Sequence, residues 1–349
     1  MTSIAFPITD VEVVQERVAL AVRAGLTARR KRLPAWLFYD ETGSRLFDEI
    51  TERPEYYLTR TERGILARHA GAIVARAAGQ HGLGHAGNGS GAHGPDRNGK
   101  GRLRIAELGA GSADKTRLLL KAAVERQRTV VYEPVDVSAT ALEAARDRIE
   151  REIDGVTVRP RVEDYVHALD FEPAAGERRL VLYIGSSIGN FEPDEAAGLL
   201  ARVRAELKPG DGLLLGVDLK KDEATLLAAY DDAAGVTADF NLNVLARLNR
   251  ELGADFELDA FEHRAIWNED VSRMEMHLES RAAQRVRLDE LNIEVDFEEG
   301  ERIHTENSYK YLPGQAEALL AGAGFEPVES WTDELGWFGV CLGRVGESF

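Results

Sequence analysis

The chain has one cysteine among its 349 residues, Cys341. A lone thiol forms neither an internal disulfide nor a zinc site built from several thiolates, so cysteine usage gives no sign of an oxidising compartment. The N-terminal sequence MTSIAFPITDVEVVQE has no long apolar run and turns acidic from Asp10 onward. It is unlike a signal peptide or a membrane anchor, and we expect a cytoplasmic protein.

Cations are in the minority. Lysine and arginine number 43 against 60 aspartates and glutamates, which gives a formal charge of -17 and a pI near 5.0. Binding to phosphate backbones or anionic lipids depends on clustered cations, so we expect no nucleic acid and no membrane as a partner. Hydrophobic residues make up 44% of the chain, enough for one large core or two smaller ones.

One segment lacks the apolar residues that a folded structure needs. Residues 79–101 read GQHGLGHAGNGSGAHGPDRNGKG, which is too rich in glycine to offset the entropy of ordering. We expect a flexible surface loop. Its histidines, His81, His85 and His93, could bind a metal only if the metal itself ordered the loop, and we therefore expect no metal here.

Strand and helix patterns alternate after this loop. LRIAEL, TVVYEPVDVS, VTVRPRVEDY and RRLVLYIGSSIGN are predicted strands, and helical patterns such as SATALEAARDRIEREI lie between them. The helix DEAAGLLARVRAEL and the strand GDGLLLGVDL follow. Because each strand is an almost continuous apolar run, the pattern predicts a parallel sheet covered by helices on both faces. That is the doubly wound α/β class.

The rhythm changes from Lys220 onward. Helical stretches are followed by alternating segments SRMEMHLES, RAAQRVRL and ERIHTENSYKYL, which indicate an inserted α+β domain. The C-terminal segment returns to a helix and two apolar strands that could complete the first sheet. We therefore predict a discontinuous cofactor domain, residues 61–219 with 311–349, and a substrate domain, residues 9–60 with 220–310.

A glycine turn follows the first predicted strand. In ELGAGS, Gly109 and Gly111 stand where bare backbone lets a nucleotide-like ligand approach a helix N-terminus. A dinucleotide fingerprint needs a third glycine, but Asp114 occupies that position and would oppose a pyrophosphate. A phosphate loop is excluded because no Lys-Ser/Thr pair follows a G-x-x-x-x-G sequence. S-adenosylmethionine (SAM), which carries no phosphate, fits better.

Acidic residues stand near the ends of the next two strands. Asp136, 27 residues after Gly109, could accept the ribose hydroxyls, with Glu133 as the competing choice. Asp164 and Tyr165 could contact the adenine amino group and ring. A short glycine turn alone is also compatible with an ordinary tight connection. Together with these acids it favours a SAM-dependent methyltransferase.

The stretch LPAWLFYDETGSRLFDEITERPEYYLTRTERGIL, residues 33–66, resembles the N-terminal signature of the histidine Nα-methyltransferases of ergothioneine biosynthesis. Further similarity lies in ELGAGSADKTRLLL, YIGSSIGNF, LLLGVDLKKD, AYDDAAGVTADFNLNVLARLNREL and WTDELGWFG. The resemblance covers nearly the whole chain except the glycine-rich loop. It implies a Rossmann-like class I fold, a monomer, and transfer of three methyl groups from SAM to the α-amino nitrogen of L-histidine, which gives hercynine.

The resemblance also implies roles for individual residues. The cofactor positions of the family fall on Gly109, Lys115, Asp136, Asp164 and Tyr165. The contacts to the histidine carboxylate fall on Tyr56, Asn190 and Tyr230, and those to the imidazole on Glu306 and Ser308 within TENSYKY, with Met276 as a further contact near the ring.

The chemistry of these side chains suits that substrate. Glu306 and Ser308, two apart in a predicted strand, would share one face and meet both imidazole nitrogens. Asn190, expected at the end of the fourth strand, could donate to a carboxylate without adding charge. Without the resemblance, Tyr56 and Tyr57 could equally well be packing aromatics, Met276 would be read as a core residue and Glu306 as solvent-facing.

Methyl transfer needs a nitrogen with a free lone pair, and it needs neither a metal nor a covalent intermediate. We expect Tyr39 to lie beside the amine and orient it, most of the rate gain coming from positioning. Three alternatives stay open: a methyltransferase for another amino acid or small amine, a catalytically idle partner module, and a nicotinamide-dependent oxidoreductase. The last is disfavoured by the glycine pattern.

Overall fold

The computed structural model describes residues 11–80, 101–166, 168–171 and 176–346, so His81, His85 and His93 lie outside the described residues. No helix in these ranges is both long and apolar enough to cross a bilayer. The helices are α1 (Val11–Leu26), α2 (Glu41–Thr51), α3 (Tyr57–Ala77), α4 (Thr116–Gln127), α5 (Ala139–Glu152), α6 (Pro193–Ala205), α7 (Glu223–Tyr230), α8 (Val236–Leu252) and α9 (Gln315–Gly322).

The strands fall into a large sheet and two small ones. They are β1 (Leu103–Leu108), β2 (Val130–Asp136), β3 (Val156–Val158), β4 (Arg161–Val162), β5 (Arg178–Tyr183), β6 (Gly212–Asp218), β7 (Phe261–Asn268), β8 (Arg273–Ser280), β9 (Gln284–Leu288), β10 (Ile293–Phe297), β11 (Arg302–Tyr309), β12 (Glu326–Thr332) and β13 (Phe338–Arg344).

The large sheet has the order β12-β13-β6-β5-β1-β2-β3, and the short β4 pairs with β2. Strands β3, β2, β1, β5 and β6 run parallel, whereas β13 pairs antiparallel with both β6 and β12. The prediction that the C-terminal strands complete the first sheet is confirmed. The doubly wound α/β class is confirmed with it.

Both faces of this sheet are covered, which explains why its strands are apolar throughout. Along β5, Leu180 and Leu182 enter the hydrophobic cluster under α3 and α4, while Val181 and Tyr183 enter the cluster under α6 and α9. Side chains of a strand alternate between faces, so a strand buried on both sides needs an apolar residue at nearly every position.

A second hydrophobic cluster lies outside the large sheet. It joins α1, α2, α7 and α8 to the antiparallel sheet β11-β8-β7 and the hairpin β9-β10. The cluster draws on residues 18–58 and 226–303. The division into two domains stays a prediction. Strands β7 and β10 were absent from the sequence prediction, although IEVDF alternates apolar and charged residues as a half-buried strand does.

The small sheet is joined to the large one at the carboxyl end of β6. Tyr311, just after β11, donates its backbone N–H to the carbonyl of Asp218 at 2.9 Å and accepts from the backbone N–H of Lys220 at the same distance. Since ligands of open α/β sheets bind at the carboxyl ends of the strands, this connection brings β11 to the cofactor edge.

Two predicted strands differ from the structure. Asn190 does not end the fourth strand: β5 stops at Tyr183, and Asn190 closes a short 3₁₀ turn, Ser187–Asn190, seven residues later. The turn begins after Ser186 in the left-handed conformation, which ends the extended chain. The third predicted strand is split into β3 and β4 at Pro160, which has no N–H for a ladder.

A β-bulge in β11 decides which of its side chains face the core. Ile303 pairs with Leu278 of β8, but the register shifts after His304, and Glu306 pairs with Met276. The extra residue, Thr305, donates its hydroxyl to the Met276 carbonyl at 2.9 Å. Without the bulge, strict alternation from Ile303 would turn Glu306 to the opposite face.

Gly216, in the middle of β6, is required by the packing of α3. A Cβ at this position would lie 2.2 Å from a carboxylate oxygen of Glu62, which is buried and held by other partners. We expect Gly216→Ala to destabilise the protein by about 1–3 kcal/mol, the usual cost of overpacking. Urea unfolding followed by circular dichroism measures this change.

The matched control is Gly64→Ala on the exposed side of α3, where nothing lies within 4 Å of the new Cβ. It should raise stability by up to about 1 kcal/mol, since alanine is the better helix former. A Gly216→Ala protein as stable as the wild type would contradict the packing argument.

Candidate active site

The glycine turn, Gly109–Gly111, lies at the carboxyl ends of the adjacent strands β1 and β2. Both glycines have positive φ, +68° and +50°, a conformation that other residues adopt at a cost. The backbone N–H of Gly109 donates to the Val135 carbonyl at 2.9 Å, and that of Gly111 donates to the Asp136 carboxylate at 3.0 Å. The turn and the acid therefore form one unit.

Asp136 and Glu133 were the two candidates for a ribose-binding carboxylate. The Asp136 carboxylate also accepts from the Ser138 N–H at 3.0 Å, and burial raises its pKa above the usual value. Glu133 lies within β2, 1% exposed, and is paired with Arg104 at 2.9 Å and Arg179 at 3.3 Å. Because Glu133 is committed to two arginines, Asp136 is the better candidate.

Tyr165 and Asp164 lie at the same edge of the sheet. The Tyr165 hydroxyl would be 3.1 Å from a Cβ on Gly109, so its ring stands directly over the glycine turn. Burial raises the pKa of Tyr165 to about 12. Asp164 forms an ion pair at 2.6 Å with Arg17 of α1, whose guanidinium stacks 4.5 Å over the ring of Trp36. No pattern in the sequence indicated a role for this arginine.

Lys115 faces the same space from the start of α4. Its ammonium donates to Glu62, which is fully buried and accepts the backbone N–H of Gly185 at 2.9 Å. A Cβ on Gly185 would lie 3.3 Å from the Lys115 nitrogen. Glu62 thus orients the lysine and was missed by sequence reasoning, although it lies within the stretch that carries the family resemblance.

The predicted substrate residues form a second group, and the region between this group and the glycine turn, where Tyr39 lies, is called the cleft below. Tyr56, Tyr230, Met276 and Ser308 are all buried, and Tyr230 donates its hydroxyl to Ser308 at 2.7 Å. Glu306 accepts a hydrogen bond from the Asn190 side chain, which reaches it from the 3₁₀ turn.

The electrostatics of this group centre on Glu306. Burial raises the pKa of Glu306 to about 7, against the opposing effects of Lys310 and of the hydrogen bond from Asn190. Burial also raises the pKa of Tyr56 and Tyr230 well above 10, and the nearby Glu306 charge adds to both shifts. The two phenols are therefore protonated donors at neutral pH.

Tyr39 lies between the two groups. Its ring packs edge-on against Phe47 and Phe240, with centroids 5.8 and 5.9 Å apart. The side chain is 36% exposed, yet enough protein surrounds its hydroxyl that desolvation raises the pKa well above 10. Charges on the substrate side, Glu306, and on the cofactor side, Asp136, add to that shift. Tyr39 is thus within electrostatic reach of both.

Sequence reasoning missed a buried cluster beneath the substrate residues. Asp218, at the end of β6, accepts from Lys310 at 2.8 Å, from Lys221 at 2.6 Å and from the Tyr57 hydroxyl at 2.7 Å. Lys310 also donates to Tyr230 at 2.7 Å and to Ser308 at 2.9 Å. Lys310 was visible within TENSYKY, but nothing in the motif indicated its burial.

One group among the described residues combines side chains that can bind a metal ion. Ligand atoms of Glu275, His277 and His304 lie within 4.8 Å of one another. These residues occupy the face of the small sheet opposite Glu306, and Glu275 already accepts from Asn268, Arg273 and His277. Because its carboxylate is committed to these donors, we assign no metal to the group.

The fold and the site together define a class of enzyme. The doubly wound sheet, in which the last strand of the chain, β13, runs antiparallel, carries a glycine turn. Asp136 lies on the neighbouring strand, and the ring of Tyr165 covers the turn. These side chains offer an acid for a ribose and a lysine for a carboxylate. The turn has Asp114 where a dinucleotide-binding turn has its third glycine. The chain is a class I SAM-dependent methyltransferase.

Comparison with known proteins gives the family. The family described as "Histidine-specific methyltransferase, SAM-dependent" matches residues 18–345, and the chain belongs to it. A histidine N-alpha-methyltransferase of Mycolicibacterium smegmatis is 46% identical over 321 residues, 92% of each chain, and one of Mycobacterium tuberculosis is 44% identical over the same share. Ergothioneine biosynthesis protein 1 of Neurospora crassa is 31% identical over 86% of this chain and 32% of its own length.

The contrast between the two acids of β2 can be tested directly. Asp136→Ala should weaken SAM binding by about tenfold or more, because it removes the partner of Gly111 and the candidate ribose acceptor. Isothermal titration calorimetry with SAM measures the effect.

Glu133→Gln is the control. It should lower the unfolding midpoint, because it weakens the buried pairs with Arg104 and Arg179, while SAM affinity stays within about twofold. The reverse pattern, in which only Glu133→Gln weakens SAM binding, would make Glu133 the ribose acid.

Proposed function

We propose that the chain transfers three methyl groups from SAM to the α-amino nitrogen of L-histidine and so forms hercynine, the first step of ergothioneine biosynthesis. The observation that carries this proposal is the bulge in β11, which turns Glu306 and Ser308 together into the cleft that Tyr39 shares with the glycine turn. A carboxylate and a hydroxyl on one face match the two opposed nitrogens of an imidazole.

The cofactor half of the cleft would hold SAM through five residues. Backbone at Gly109 admits the nucleoside, Asp136 accepts from the ribose, and Asp164 and Tyr165 meet the adenine. Lys115, oriented by Glu62, would pair with the carboxylate of the methionine tail. When bound, the cofactor supplies an electrophilic methyl group.

The substrate half would hold L-histidine at both ends. Tyr56 and Asn190 are neutral donors suited to the carboxylate. Tyr230, the third residue that the resemblance implies there, donates its hydroxyl proton to Ser308 at 2.7 Å. Glu306 and Ser308 read the imidazole, and Met276, 2% exposed and paired with Glu306 across the sheet, packs against the ring. Neutral donors bind the carboxylate without adding a fixed cation near the sulfonium.

Tyr39 would act on the amine by orientation. Its hydroxyl stays protonated at neutral pH, because its pKa is raised, so it is not itself a strong base. The oxygen can accept a hydrogen bond from the amine and hold the nitrogen lone pair in line with the methyl group. After the third transfer the nitrogen has no proton, and the tyrosine ring can face the fixed cation instead.

We further propose that the enzyme works as a monomer in the cytoplasm, with no metal in the reaction and no nucleic acid or membrane partner. The charge of -17 disfavours polyanionic partners, and the single cysteine suits a reducing compartment. Proton loss from the amine and direct displacement at carbon need no Lewis acid.

Mass spectrometry of products tests the substrate. The protein is incubated with SAM and each of the twenty amino acids in turn, and a gain of three methyl groups is expected on histidine alone. Glu306→Ala should reduce that yield at limiting histidine, because the ring loses its acceptor. Trimethylation of a different amino acid, or no methylation at all, would refute the assignment.

The pH dependence should report Glu306. Its pKa is raised to about 7, and the ionised form is the stronger acceptor for the ring N–H, so kcat/KM for histidine should fall as the pH drops below 7. Protonation of the substrate imidazole acts in the same direction. Glu306→Gln isolates the contribution of the enzyme: its acid limb should follow the substrate alone and be shallower. A wild-type profile identical in shape to that of Glu306→Gln would contradict this role.

A further inference from the structure

Lys310 is a buried cation next to the substrate residues, and it has no role in the function proposed above. The residue follows β11, and its side chain is 0% exposed. An ammonium has three protons and no acceptor. The three contacts of Lys310 account for all three protons: Asp218 at 2.8 Å, Tyr230 at 2.7 Å and Ser308 at 2.9 Å.

This geometry fixes the direction of the hydrogen bonds beyond Lys310. Tyr230 and Ser308 must each accept from the ammonium, because Lys310 can only donate. Between the two hydroxyls, 2.7 Å apart, Tyr230 is the donor, since a phenol is far more acidic than an aliphatic alcohol. Ser308 then accepts twice, from Lys310 and from Tyr230, which uses both of its lone pairs. The one proton of Ser308 is left to point into the cleft.

We propose that Lys310 is a positioning residue that makes Ser308 an obligatory donor and thereby selects the neutral imidazole of the substrate, in a single tautomer. The proposal rests on the proposed function. The ring nitrogen facing Ser308 must carry a lone pair, and the other nitrogen must carry the N–H that Glu306 accepts. An imidazolium would bring an N–H against the Ser308 proton. The carboxylate contacts then fall to Tyr56 and Asn190, because the Tyr230 proton is used by Ser308.

The surroundings of Glu306 matter because a carboxylate by itself favours an imidazolium. The titratable or polar groups that face Glu306 are Tyr39, Tyr56, Asn190, Tyr230 and Lys310, each from a different element. Lys310 is the cation among them, and it opposes the rise in the pKa of Glu306 that burial causes. Lys310 therefore acts on both groups that read the ring.

Nitrogen NMR of bound substrate tests the proposal. Ring-¹⁵N-labelled L-histidine is bound to the wild type together with S-adenosylhomocysteine, which cannot donate a methyl group. We expect one protonated and one unprotonated nitrogen at pH 7, the signature of a single neutral tautomer. Two protonated ring nitrogens, or two equally averaged signals, would overturn the proposal. If labelled histidine fails to bind, or the amino-acid panel shows no histidine methylation, it is the proposed function that fails, and the Lys310 proposal falls with it.

Two substitutions isolate Lys310. Lys310→Met removes the ammonium. Lys310→Gln, the fallback if the methionine variant does not fold, replaces it with an amide that can accept as well as donate and so no longer obliges Ser308 to accept. In either variant the bound ring should lose its single tautomer, and the KM for histidine should rise about tenfold or more while SAM affinity is unchanged. The acid limb of kcat/KM should move to higher pH, because the cation that lowers the pKa of Glu306 is gone.

Lys221→Met is the matched control. Lys221 donates to the same carboxylate, Asp218, at 2.6 Å. Within the part of the chain that the structure describes, its other hydrogen bonds go to Tyr57 and Leu219, and not to Tyr230 or Ser308. It should leave both the tautomer and the acid limb in place. If the Lys310 variants and Lys221→Met change histidine affinity, tautomer and pH profile alike, Lys310 has only a structural role and the proposal is wrong.

Discussion

The buried carboxylate of Asp218 is the interaction on which the rest of this structure depends. It is 0% exposed and carries a charge that would be costly to bury without cations. Its partners come from three separate segments: Tyr57 at the start of α3, Lys221 after β6, and Lys310 after β11. One carboxylate at the end of a central strand therefore holds the substrate sheet against the cofactor sheet.

This junction explains how one cleft serves two ligands. The backbone of Asp218 pairs with Tyr311, so the end of β11 lies at the carboxyl edge of the large sheet, where the glycine turn also lies. Glu306 and Ser308 are carried there by β11 rather than by a flexible loop. Rigid elements place reacting groups more accurately than loops, and methyl transfer depends mostly on placement.

Much of the fold could be predicted from the sequence because its signals were local. Apolar runs with helical spacing between them predicted the doubly wound sheet, and the C-terminal strands that complete it, since burial on both faces imposes that pattern. Strand β7 was missed because FEHRAIWN does not alternate throughout, whereas β10 was missed although IEVDF alternates strictly. The prediction that Asn190 ends a strand was wrong because the chain turns at Ser186, which is left-handed. This conformation is uncommon for a residue other than glycine, so the sequence did not indicate it.

The candidate site divides in the same way. The sequence by itself determined the chemistry that is available: the glycine turn, the acids after it, and the motif TENSYKY with its resemblance to a family. Only the tertiary structure distinguishes the surroundings of Asp136 from those of Glu133, which is paired with two arginines, and only it joins Lys310 to Tyr230 and Ser308. Hydrogen-bond partners far apart in the chain are set by packing, which a local pattern does not encode.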